Sequence, residues 1–171
     1  VGSNAGVITN IASGGTVQTN TTNNAGATTI NVKSAVSAAT DEITYAISNT
    51  GDVYVVGTVT IANVETINIT ANDSVAAGSA ADTNTMTLAA TSATTINVSG
   101  NNGLTLTNTT ETAVTTFDAS GVVSNATAAS TYVAATADTA ALLAVTYTSA
   151  NLTTTAEVSI TGGAGNDVLT G

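Results

Sequence analysis

Short runs in which Thr or Asn alternates with Val, Ile or Leu recur along the whole chain, and they constrain its fold more than any other feature. Thr58-Val59-Thr60-Ile61, Thr66-Ile67-Asn68-Ile69-Thr70, Thr85-Met86-Thr87-Leu88, Thr95-Ile96-Asn97-Val98-Ser99, Leu104-Thr105-Leu106-Thr107 and Glu157-Val158-Ser159-Ile160-Thr161 are the clearest. A period of two puts alternate side chains on opposite faces of an extended chain, so each run reads as a half-buried strand. Gly, Asn, Asp and Ser separate the runs, and because the chain has no Pro its turns rest on those residues. Two Ala-rich stretches, 34–39 and 135–143, could supply a little helix, but neither carries a long apolar stripe at helical spacing. The expected class is all-β.

A four-residue theme recurs as Thr29-Ile30-Asn31-Val32, Thr66-Ile67-Asn68-Ile69 and Thr95-Ile96-Asn97-Val98. Loose recurrence of this kind points to stacked units, none of which buries its apolar edge alone. Uneven steps imply loops of variable length. The expected architecture is thus an irregular β-solenoid or β-roll-like stack of short strands with little helix, running over 1–161. Within it, 122–155 has the composition of an insertion or long connection. T-x-T pairs such as Thr58/Thr60 and Thr85/Thr87 suggest a flat, ice-binding type of face. Such a face needs the same pair to stack regularly, and the uneven steps are not expected to provide that.

Among 171 residues there are 11 Asp plus Glu, one Lys, no His and no Cys, giving a formal charge of −10. Almost nothing is present to neutralise phosphates, which argues against nucleic acid and against an anionic membrane surface. The natural partner is a divalent cation, and Ca2+ fits because it takes oxygen ligands. Without Cys there are neither disulfides nor thiolate metal sites, and without His the usual general base is missing. Adjacent carboxylates such as Asp41-Glu42 point to opposite strand faces and lack a neighbouring aromatic platform, so they do not read as a glycosidase pair. No enzymatic role is expected. No apolar run is long enough to span a membrane. The sequence begins at Val1 without Met and stops inside a motif at Gly171, so it reads as an excerpt of a longer protein.

That last motif is the sharpest local signal. Gly162-Gly163-Ala164-Gly165-Asn166-Asp167-Val168-Leu169-Thr170 matches the nonapeptide G-G-x-G-x-D-x-U-x of calcium-binding β-rolls. Gly162, Gly163 and Gly165 permit tight turns whose carbonyls face an ion, Asp167 completes the shell, and Leu169 points into the roll. A full site in such rolls draws on two successive turns, and a single copy is present over 162–171.

Together with Val64-Glu65-Thr66-Ile67-Asn68-Ile69, Thr85-Met86-Thr87-Leu88-Ala89-Ala90-Thr91-Ser92-Ala93, Gly103-Leu104-Thr105-Leu106-Thr107-Asn108 and Ala113-Val114-Thr115-Thr116-Phe117-Asp118-Ala119-Ser120, this nonapeptide gives a combination that resembles the RTX-type crystalline surface-layer (S-layer) proteins of Gram-negative bacteria, nearest to the Caulobacter type. The resemblance is strongest over 58–120, continues loosely back to Gly14, and is least over 122–155. It implies a structural protein secreted by the type I route, located at the cell surface, and self-associating with calcium into a two-dimensional lattice alongside the rest of its parent chain. Carried onto this sequence it makes Glu65, Asp118, Asp82, Asp73, Asn84 and Asp41 candidate calcium ligands, with Asn84 standing where the family more often has Asp. A calcium-binding module of an RTX adhesin is the alternative, and a polysaccharide-active β-helix enzyme is disfavoured.

Overall fold

A computed structural model of the chain describes residues 6–19, 26–36, 40–49, 55–73, 83–124 and 140–171. Thirteen strands follow one another there, with no helix among the described residues. They are β1 (Gly6–Ile11), β2 (Gly15–Thr19), β3 (Ala27–Val32), β4 (Glu42–Asn49), β5 (Val55–Ile61), β6 (Thr66–Asp73) and β7 (Asn84–Ala89). After these come β8 (Thr95–Gly100), β9 (Leu104–Asn108), β10 (Thr116–Val122), β11 (Val145–Thr148), β12 (Ser159–Thr161) and β13 (Val168–Thr170).

Odd-numbered strands form a seven-stranded sheet in the order β1-β3-β5-β7-β9-β11-β13, and even-numbered strands a six-stranded sheet, β12-β10-β8-β6-β4-β2. Every pairing is parallel. Each turn of the chain therefore lays one strand in each sheet and climbs one rung, which is the stacked roll that the alternation predicts. Apolar positions from both sheets meet in one core. Ile43, Ile67, Ile96, Phe117 and Ile160 stack rung upon rung in one sheet. Met86, Leu106, Tyr147 and Leu169 do so in the other. Across the core, Phe117 and Tyr147 stack with ring centroids 3.8 Å apart and planes 7° from parallel. With so few aromatics, this pair and Tyr45 are the large rings of a core otherwise built from Ile, Val, Leu, Ala and Met86.

Two expectations change here. Thr66–Ile69 and Thr95–Val98 do lie side by side in register, but Thr29–Val32 belongs to the opposite sheet. The same local pattern suits either sheet, since both want apolar side chains inward; the preceding corner decides which one receives it. Threonine stacking was expected to fail, and it does not. On the outer face of the seven-stranded sheet, Thr85, Thr105 and Thr146 form one column. Thr58, Thr87 and Thr107 form a second, and Thr148 pairs with Thr170 beyond the end of the β9–β11 ladder. Corner loops absorb the uneven spacing, so register survives it.

The stretch 122–155 is not wholly an excursion. β11 lies inside it, pairs with β9 and β13, and carries Tyr147 into the core. The Ala-rich residues 34–36 and 140–143 form turns and coil, while 37–39 and 135–139 fall outside the described residues.

Candidate metal centre

One corner of the roll repeats a backbone device from coil to coil. The residue before each of β4, β6 and β8 offers its carbonyl to two successive N–H groups of the next coil. Asp41 O accepts from Glu65 N (3.2 Å) and Thr66 N (3.0 Å), and Glu65 O from Thr94 N (2.9 Å) and Thr95 N (3.0 Å). Thr94 O then accepts from Thr115 N (2.9 Å) and Thr116 N (3.1 Å). Two of these equivalent positions are acidic, Asp41 and Glu65, so carboxylates of adjacent coils are stacked one rung apart. Asp41 N donates to Glu65 Oε2 at 3.0 Å, which ties the upper acid to the lower backbone.

The other oxygens matter more. Asp41 Oδ2 and Glu65 Oε1 are both shielded from solvent and have no hydrogen-bond partner among the described residues. An acceptor buried without a donor is costly, and a carboxylate oxygen more so. Two such oxygens on neighbouring rungs suit a hard cation that prefers carboxylate and carbonyl ligands. Both residues are sequence-predicted ligands, and the structure brings them together. Among the described residues no third Asp or Glu converges with them, so further oxygens would come from carbonyls or water.

The other candidates are placed apart from this corner. Asp118 lies within β10 and faces outward, immediately before a bulge that inserts one extra residue between the Asn97 and Ser99 rungs. The Ser120 hydroxyl and the Ser120 N–H, at 2.8 Å from Oδ1, donate to its carboxylate and lower its pKa. Its role is to pin the bulge. Asp73 closes β6, and Asp82 lies outside the described residues.

Asn84 opens β7 with its side chain buried inward, and Asn102, in the neighbouring corner, is buried too. Neither carboxamide has a hydrogen-bond partner among the described residues. Asn84 is thus a neutral, core-facing group rather than a counterpart to the acidic corner.

The nonapeptide forms the corner between β12 and β13. Asp167 divides its carboxylate between two backbone donors: Val145 N to Oδ1 and Gly163 N to Oδ2, each at 2.8 Å. It thereby staples its own turn to the coil below. The glycines permit this closeness, for a Cβ on Gly162 would sit 2.3 Å from Asp167 Oδ2. One on Gly163 would sit 2.7 Å from Ala119 O, and one on Gly165 2.2 Å from Leu143 O. Leu169 packs against the core as expected.

Sequence reasoning missed Glu111. It is fully buried, and its oxygens accept from Ala90 N (2.5 Å), Thr109 N (2.7 Å) and Thr110 N (3.0 Å). Its only sequence signal is an acid in a Thr-rich connection, which looks like any solvated turn. The chain matches no protein-family model and no curated protein.

Proposed function

We propose that this chain is a structural segment of a secreted, calcium-dependent S-layer, in which the ion clamps successive coils of the roll at the Asp41–Glu65 corner. The observation that carries this reading is the pair of buried, unpartnered oxygens on adjacent rungs, Asp41 Oδ2 and Glu65 Oε1. A cation there gains ligands from two coils at once, so binding stabilises the stack rather than a single loop. Extracellular calcium modules bind at about 10⁻⁴–10⁻³ M. At about ten times Kd, one site adds about 1.4 kcal/mol. That is an appreciable part of the ~5–15 kcal/mol margin of a small domain. The resemblance to S-layer proteins supplies the array, and the roll's polar, sparsely charged faces suit contact with identical neighbours.

The test has two arms. Isothermal titration with calcium should show binding that Glu65→Gln weakens at least tenfold, with the wild-type melting temperature falling in EDTA. Electron microscopy of the parent protein should show two-dimensional sheets with calcium and none in EDTA. A melting temperature unchanged by EDTA would refute the ion clamp, and dispersed particles at every calcium level would refute the array.

A further inference from the structure

We propose that the outer face of the seven-stranded sheet binds ice, through the threonine columns that its strand register creates. This goes beyond the array reading and is independent of the calcium corner.

Parallel strands stand about 4.8 Å apart, and alternate residues along one strand are about 6.6 Å apart. Two adjacent threonine columns therefore form a grid of hydroxyls with those two repeats, close to the oxygen spacings on a prism face of ice. The grid is regular because β7, β9, β11 and β13 pair without a register shift. Thr is stiff at χ1, so neighbouring hydroxyls and methyls hold one orientation and need little ordering on contact. Among the described residues those hydroxyls make no intramolecular hydrogen bond, which leaves them to water.

Two further observations point to ordered water as the occupant. First, the outward positions of this sheet carry no charged residue, from Val7 on β1 to Thr170 on β13. Ions hold their own hydration shells and disrupt an ice-like layer; this face has none. Second, a trough of about 310 Å³ runs between the columns, lined by Thr105, Thr107, Thr146 and Thr148. The opposite sheet provides the contrast. There a single threonine column, Thr66, Thr95 and Thr116, has no threonine column beside it, since the next one runs Asn68, Asn97, Asp118, with a charge and a bulge at its end.

The experiment uses the full chain, dye-labelled at the exposed Lys33 and the N-terminus, with folding verified by circular dichroism. Adsorption to a growing ice surface and inhibition of ice recrystallisation are measured. Wild type should coat ice and suppress recrystallisation. Thr107→Lys and, independently, Thr148→Tyr should reduce both at least tenfold. Thr95→Lys on the opposite sheet should leave them unchanged. Exclusion of the wild type from ice would overturn the proposal. So would equal activity of Thr107→Lys and Thr95→Lys, or a dimer that Thr107→Lys dissolves, since the face would then serve a second copy of the chain.

Discussion

Glu111 and Asp118 show what a carboxylate can do for a protein with almost no basic residues. Glu111 spreads its charge over three backbone N–H donors inside the core, reaching Ala90 on another coil. Glu111→Ala should strand those donors and cost about 3 kcal/mol, given that bonds to charged groups contribute about 1.5–3 kcal/mol each; urea unfolding measures it directly. Asp118 works at the surface. Its folded pKa is lowered by the Ser120 hydroxyl and N–H. The stability it lends is therefore present above the unfolded value of 3.8 and lost as pH falls through the lower folded one. Asp118→Ala should remove that part of the acid sensitivity below about pH 4 in thermal melts, with a small effect because the group meets solvent. These roles were not legible in the sequence. Each depends on a donor brought close by strand pairing or by a bulge, and local spacing carries no trace of either.

Strands were legible because alternation is a local property, and the inward positions needed no knowledge of partners. Register was not, since it depends on how much chain each corner absorbs. The step from Asn97 to Asp118 is the simplest case: the two are in register although the coil that joins them through β9 is shorter than the one that joins Asn68 to Asn97 through β7. Tight corners carry specific demands as well. Gly100 has φ +121°, and a Cβ there would lie 2.0 Å from Ala71 O, the carbonyl that accepts from Asn101 N and Asn102 N. Gly100→Ala should cost about 3 kcal/mol or more, as expected for a backbone region reserved to glycine. Hydrogen exchange should then show loss of protection at Asn101 and Asn102 first.

Seen whole, the molecule gains its order from contacts between coils rather than within them. Asp167, Glu65 and Glu111 each bond to a backbone group of a neighbouring coil. A calcium clamp at the corner would add one more link of the same kind, and sheet pairing supplies the rest. The solenoid class could be anticipated from repeats and small β-branched residues. The acidic corner was half visible, because Asp41 and Glu65 stood out as acids while their stacking did not.

All interstrand bonds in both sheets run along the axis on which coils accumulate, and that gives the roll a mechanical grain. A pull applied through its first and last strands loads those bonds end-on, one rung at a time, so coils should peel away in succession at low force. A pull along the strands loads a whole ladder in shear and meets far greater resistance. Single-molecule stretching from residue 6 to residue 170 should give a staircase of small releases, each freeing one coil, whereas attachment within β6 and β8 should give a single high rupture. A coat woven from such units would be stiff within the plane of its strands and compliant along its stacks.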